Sequence, residues 1–299
     1  MIHLIVAISL LFSQGTYLVE SVPYLNLQEN TSNISAPIRI NPENIGVKLT
    51  GDKYLALDVN SGRVLLERNS NQKQPIASIT KLMTALVILD QDPDWQMPVE
   101  MKKTDETYGA QPHLYRGEQM TFIDLWKSAL ISSDNNAIMA MVRSLGFSRP
   151  EFVELMNKKA YSLRLFNSTF DDPTGLSEYN QSTATDIAKL VYEAIGHNEI
   201  RESVIQGKYT FQISNNKKRR NIYNTDILID SFLNSSRYGY ELIGGKTGYL
   251  PEAGYCLAVE ISKSDNPVIF VVLNSNTIYN RFQDTKSMAD WVFTNYKWE

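Results

Sequence analysis

Histidine and cysteine are almost missing from this chain of 299 residues, which holds three of the first and one of the second. A lone Cys256 excludes any disulfide within the chain. His3, His113 and His197 are scattered and no H-E-x-x-H occurs, so no metal site of the His–Cys kind is expected. The formal net charge is only −4, which leaves no broad basic surface for nucleic acid. Fifteen glycines and eleven prolines are too few for a fibrous or low-complexity chain. Long hydrophobic runs are missing too. Leu4–Phe12 is a nine-residue apolar run, too short to cross a bilayer, and no later stretch qualifies, so no integral membrane domain is expected. The run lacks a preceding Lys or Arg, yet Ser13-Gln14-Gly15 after it fits a cleavage site. Residues 1–15 therefore read as a secretory signal peptide, which places the protein outside the cytoplasmic membrane, in the periplasm or cell-wall space. What is present, 43% apolar and 21% charged residues, is the composition of a globular protein.

Residues 16–45 are polar, carry Pro23, Pro37 and Pro42, and read as an arm; 46–299 read as the working domain. Tyr54–Val59 and Val64–Glu67 flank the turn signal Asn60-Ser61-Gly62 and predict a hairpin. Ser78–Leu89 has helical periodicity, as do Phe122–Leu130, Ala137–Leu145 and Glu151–Leu163; Thr183–Asp186 resembles a capping box opening a helix to Ile195. Tyr209–Ile213, Tyr240–Ile243, Gly254–Ile261 and Pro267–Leu273 read as strands, and Tyr279–Trp298 as a final helix. This order predicts an α/β (α+β) domain: an antiparallel sheet completed from both ends of the chain, flanked by helices, with an all-helical subdomain inserted at about 90–195.

No G-x-S-x-G exists for a nucleophile elbow. Gly244-Gly245-Lys246-Thr247 fails as a phosphate loop, because Tyr240 stands where that motif needs glycine. Asp171-Asp172 reads as a solvated turn before Pro173. A serine can instead be activated by a neutral lysine, and S-x-x-K on a helix puts both on one face. The pattern occurs at Ser70, Ser78 and Ser214, but only Ser78-Ile79-Thr80-Lys81 opens an apolar helix. S-x-N occurs at Ser133, Ser214 and Ser264, and only Ser133-Asp134-Asn135 joins two predicted helices. K-T-G occurs once, as Lys246-Thr247-Gly248. These three elements in this order form the signature of penicillin-binding proteins and class A β-lactamases.

With PIASITKLMTALVILD at Pro75–Asp90, SSDNNA at Ser132–Ala137, DPTGL at Asp172–Leu176 and KTGYLPEAGYCLA at Lys246–Ala258, the chain resembles low-molecular-mass penicillin-binding proteins of the D-alanyl-D-alanine carboxypeptidase family. It looks most like the short endopeptidase branch. The resemblance implies a β-lactamase/transpeptidase-like fold, no cofactor, a monomer, peptidoglycan stem peptides ending in or cross-linked through D-Ala as substrates, and β-lactams as covalent inhibitors. It also implies roles. Ser78 would be the nucleophile, Lys81 its base and Ser133 a proton relay. Asn135, Lys246, Thr247 and Gly248 would bind substrate, and the N–H groups of Ser78 and Tyr249 would form the oxyanion hole. Two other functions compete. A class A-like β-lactamase would need a deacylating Glu, and the corresponding region reads FDDPTGL. A catalytically silent cell-wall peptide binder would need no intact motif set. Cys256 reads as a buried strand residue, and His113 as part of a surface loop or as a residue lining the cleft mouth. The run Lys217-Lys218-Arg219-Arg220 reads as a hairpin tip, either merely solvated or in contact with acidic glycan or lipid head groups.

Overall fold

A computed structural model describes residues 35–108 and 113–299. The predicted signal peptide and most of the predicted arm lie outside the described residues. The chain opens with β1 (Ile38–Arg39), β2 (Lys53–Asp58), β3 (Val64–Arg68) and β4 (Gln74–Pro75), followed by a 3₁₀ turn at Ala77–Ile79 and α1 (Thr80–Leu89). The middle holds β5 (Pro98–Glu100), β6 (Gln119–Thr121), α2 (Phe122–Ile131), α3 (Asn135–Ser144), α4 (Arg149–Ser162), β7 (Gln181–Ser182), α5 (Ala184–Gly196) and α6 (Asn198–Val204). The last part is β8 (Lys208–Gln212), β9 (Arg219–Tyr223), β10 (Tyr240–Leu250), β11 (Gly254–Lys263), β12 (Asn266–Ser275), α7 (Asn280–Asn295) and β13 (Tyr296–Lys297).

Five strands form one antiparallel sheet in the order β10-β11-β12-β2-β3. The expected completion from both chain ends is seen in the pairing of β12 with β2. Alternate residues of these strands feed two separate cores. Tyr54, Ala56, Val268, Phe270 and Val272 pack with Met288 and Val292 of α7. Leu55, Leu57, Ile269, Val271 and Leu273 join the helices on the opposite face. A sheet covered on both sides favours apolar residues at successive positions, which explains the apolar runs Tyr255–Val259 of β11 and Pro267–Leu273 of β12.

The inserted block differs from the expectation in two ways. It is not all-helical, because β5 pairs with β6 within it and the β8–β9 hairpin packs against α2. It also ends before α5, which lies against β2, β11 and β12 as a cover of the sheet. Helical periodicity alone does not say which layer an amphipathic helix faces. The final helix is shorter than expected as well. It stops at Asn295, and Tyr296–Lys297 pair with Ile38–Arg39, so a partner from the far end of the chain overrides the local helical pattern.

The chain ends are pinned by two buried carboxylates. Asp58 accepts from Ser61 N at 2.8 Å and from Trp298 Nε1 at 2.7 Å. Asp284 of α7 accepts from Thr50 N, Thr50 Oγ1, Gly51 N and Ser275 Oγ at 2.6–3.0 Å. Truncating Asp284 removes the partner of four donors, two of them, Gly51 N and Ser275 Oγ, in the interior, so Asp284→Ala is expected to cost about 2–4 kcal/mol in urea unfolding. A loss below about 0.5 kcal/mol, the range of an ordinary surface change, would refute this role.

Candidate active site

The turn before α1 sets the first group. Ala77 takes φ of +48°, an uncommon conformation for a residue with a β-carbon, and Ser78 follows it at the helix entrance. Three residues on, Lys81 lies on the same face and is fully buried. Its Nζ is 2.9 Å from Ser78 Oγ, 2.6 Å from Asn135 Oδ1 and 2.6 Å from the Thr174 carbonyl. Two of these three neighbours are fixed acceptors. They take the two N–H bonds of a neutral amine and leave its lone pair facing the serine hydroxyl. Burial pushes Lys81 down to about 7, against the opposing pull of Asp172 and Asp134.

The second group comes from the loop between α2 and α3. Ser133 sits there with φ of +61°. Asp134 caps α3, accepting from Ala137 N at 3.0 Å, while its other oxygen accepts from His113 N at 2.8 Å. This cap directs Asn135 at Lys81 and brings His113 to the rim of the cleft, the second of the two positions expected for it.

The third group is on β10, which runs on through K-T-G to Leu250 rather than stopping at Ile243. A β-carbon on Gly248 would lie 2.9 Å from the Ile76 carbonyl and 3.2 Å from Ala77 Cβ, so only glycine lets this edge strand approach the Ala77–Ser78 turn. Thr247 Oγ1 lies 2.6 Å from Thr225 Oγ1. Lys246 is buried, donates to the Thr247 carbonyl at 3.2 Å, and is pushed well below the ordinary lysine range by burial and by the Lys81 and Arg281 cations.

A fourth contributor was not marked by any motif. Arg281, in the first turn of α7, lines the cleft beside Ser78 and Thr247, donates to the Gly248 carbonyl at 3.0 Å and leaves its Nε unpartnered. Asp226, also missed, is pushed up to about 6 by burial, opposed by the Leu228 N–H and by Arg281 and Lys246. Both residues stand far from the three motifs in sequence, and an isolated Arg or Asp carries no local signal. Tyr249 forms part of the cleft wall and stacks on Tyr255 at 4.3 Å.

The DPTGL loop closes the floor, and here the expectation of a solvated acidic pair fails. Asp172 is buried, accepting from the N–H groups of Thr174, Gly175 and Ser177 and from Asn180 Nδ2 at 2.8–3.2 Å. It thereby aims the Thr174 carbonyl at Lys81. The cleft has a volume of about 590 Å³, with Ser78, Ser133, Asn135 and Thr247 among its walls. The other S-x-x-K copies lie elsewhere: Ser70 bonds Glu67 and Ser214 is exposed on the β8–β9 turn. Cys256 is fully buried on β11, opposite Gly248 of β10.

Comparison with known proteins bears on this cleft. A family model described as D-alanyl-D-alanine carboxypeptidase matches residues 40–277. The chain belongs to this family. It is 32% identical to a D-alanyl-D-alanine endopeptidase of Pseudomonas aeruginosa over 83% of this chain and 78% of that protein. It is 34% identical to the D-alanyl-D-alanine carboxypeptidase DacF of Bacillus subtilis over 81% of this chain and 61% of that one. Among solved structures, the DD-transpeptidase of Streptomyces K15 superposes with a TM-score of 0.75 at 27% identity, covering 83% of this chain and 99% of that one. A β-lactamase/transpeptidase-like fold is therefore that of this carboxypeptidase family member.

Gly175 offers a test of how the floor is built. It has φ of +87°, and a β-carbon there would lie 2.2 Å from the Ala77 carbonyl and 2.9 Å from Ser78 N. Gly175→Ala is expected to lower stability by about 2 kcal/mol or more and to displace the Ser78 turn. Thermal unfolding checks the first, and an unchanged melting temperature would refute it.

Proposed function

We propose that this chain is a serine D-alanyl-D-alanine peptidase of peptidoglycan, with Ser78 as nucleophile and Lys81 as its base. The Lys81–Ser78 contact of 2.9 Å, inside a buried hydrogen-bond frame that favours the free amine, carries the reading. Ser78 Oγ gives its proton to Lys81 Nζ and attacks the carbonyl that precedes the second residue of the D-Ala linkage. The oxyanion is taken by the N–H groups of Ser78 and Tyr249, each such donor being worth about 10²–10³ in rate. The C–N bond breaks, the departing amine takes up a proton along Ser133, and water then hydrolyses the acyl-ester. Asn135 holds Lys81 and the substrate's peptide. Arg281, Thr247 and the positive field of Lys246 receive the free carboxylate beyond the cleaved bond.

Cutting of cross-links as well as chain ends is part of this proposal. Leu176 and Leu250 line both the cleft and a second hollow of about 760 Å³, which gives room for a second stem peptide. The endopeptidases of Pseudomonas aeruginosa and Haemophilus influenzae, at 32% and 33% identity, point the same way. Such a substrate lies outside the cytoplasmic membrane, in keeping with the predicted leader, and no described helix is long and apolar enough to cross a membrane.

Digestion of purified peptidoglycan tests the assignment. Cross-linked dimers and terminal D-Ala are both expected to disappear, and Ser78→Ala should lower the rate by about 10⁴-fold or more and abolish covalent labelling by a fluorescent penicillin. Labelling that survives in Ser78→Ala, or rapid turnover of penicillin, would overturn it; loss of terminal D-Ala alone would restrict it to carboxypeptidase action.

The pH dependence has a defined sign. Lys81 must be neutral to accept the proton, and its folded value is about 7. Acylation should therefore rise with pH, about tenfold per unit below 7, and level off above it. A rate that is flat between about pH 5 and about pH 9 would exclude Lys81 as the base.

A further inference from the structure

The segment 208–223 holds five basic residues and no acidic one, in a chain whose net charge is −4. It folds as the β8–β9 hairpin, with Lys208 opposite Tyr223 and Gln212 opposite Arg219. Strand alternation sorts its side chains. Phe211 and Ile222 are buried, Tyr209 donates to Asp124 at 2.8 Å, and Arg220 pairs with Glu118. These inward contacts consume the local acids. The outward face carries Lys208, Thr210 and Gln212 from one strand and Arg219, Asn221 and Tyr223 from the other, with Lys217 and Lys218 exposed at the tip. Lys208, Lys217, Lys218 and Arg219 have no ion-pair partner among the described residues.

The hairpin is also fixed in place relative to the cleft. Ser214 N donates to the Gln119 carbonyl at 2.6 Å and Asn215 Nδ2 to the Gly117 carbonyl at 2.7 Å. The Arg220 guanidinium covers the Tyr115 ring at 5.1 Å. The segment that receives these contacts includes His113, on the rim of the active-site cleft. A cationic face is thus held beside one end of the cleft, with Lys208 over the Tyr223 ring at 5.4 Å and Lys217, Lys218 and Arg219 outside any ion pair among the described residues.

From this arrangement we infer that the outward face of the β8–β9 hairpin is a docking site for the cell-wall polymer itself, a glycan strand bearing acidic stem peptides. The inference rests on the proposed peptidase function and adds a second point of attachment to the substrate, away from the reacting bond. The exposed cations match stem-peptide carboxylates, and the charges carry the match, because Thr210 donates to Asn221 Oδ1 at 2.7 Å and Gln212 to the Lys217 carbonyl at 2.8 Å. A lipid surface fits less well, because Tyr223 is the one large apolar side chain on this face and a peripheral membrane contact needs an inserted apolar set. Holding the polymer raises the local concentration of further stems at the cleft.

Co-sedimentation with purified, insoluble peptidoglycan tests this directly. The combined variant Lys217→Ser, Lys218→Ser, Arg219→Ser is expected to bind about tenfold less than the natural chain, and binding by the natural chain should weaken as salt screens the charges. The charge-preserving variant Lys217→Arg, Lys218→Arg, Arg219→Lys should retain binding. Fluorescent penicillin labelling and cleavage of a soluble acylated D-Ala-D-Ala peptide should be the same in all three proteins. Unchanged sedimentation of the serine variant would overturn the inference, as would binding by the hairpin to phosphatidylglycerol vesicles in preference to peptidoglycan. The penicillin label reports separately on Ser78. A natural chain that labels but does not sediment refutes the docking site alone, whereas one that sediments through the hairpin without labelling refutes the peptidase assignment.

Discussion

A lysine ammonium buried without a full set of compensating charges is the constraint on which this site depends. Removing a cation from water is costly, and a protein meets that cost either by supplying counter-charge or by letting the proton go. Around Lys81 the fold does some of both. Asp172 and Asp134 lie near enough to favour the charged form, but each is already committed to backbone N–H groups, one in the DPTGL loop and one at the start of α3. Neither forms an ion pair with Lys81. The direct neighbours are instead a serine hydroxyl, an amide oxygen and a peptide carbonyl. These neutral oxygens hold the amine in position without paying back the full solvation of an ammonium, and a lysine near neutral pH is the result.

That constraint explains why three distant segments must meet with little tolerance. The carbonyl from the 172–176 loop, the amide from α3 and the serine from the 3₁₀ turn all lie within hydrogen-bond reach of one nitrogen. Close approach is secured by the absence of side chains at Gly175 and Gly248, both of which abut the Ala77–Ser78 backbone. Left-handed conformations at Ala77 and Ser133 bring two of the site's hydroxyls into the cleft from the entrances of helices. Local backbone energy is given up at those two points, and the packed sheet and block that flank them supply it.

Much of this was legible in the sequence, and the limits follow a physical pattern. Periodicity located the longer helices and the sheet strands, because each buries a face or both faces in a regular repeat, but it ended β10 seven residues early and passed over β5, β6 and α6. It also singled out Ser78 over Ser70 and Ser214, since only Ser78 opens an apolar helix. What stayed hidden depends on tertiary context. Asp172 reads as a turn residue and is buried by the loop it organises. Tyr296–Lys297 carries a helical pattern and becomes strand when Ile38–Arg39 pairs with it. Arg281 and Asp226 are single polar residues whose neighbours come from other elements, so no spacing rule reaches them.

The placement of Arg281 also bears on how charge is distributed during the proposed reaction. Lys81 and Arg281 both lower the proton affinity of buried Lys246, with Asp226 as the opposing acid. Arg281 keeps its proton under all ordinary conditions and faces the open cleft, so it is the group best placed to meet an arriving carboxylate. Once that carboxylate is seated, the repulsion on Lys246 is relieved, because Lys246 shares the β10 strand with the carboxylate's other partner, Thr247. The cation recruited by substrate is then on the carboxylate side of the cleft, and the free amine remains on the serine side. A division of this kind lets one buried cluster bind an anion and deprotonate a hydroxyl at the same time, with no histidine, thiol or metal taking part in the proposed proton transfer.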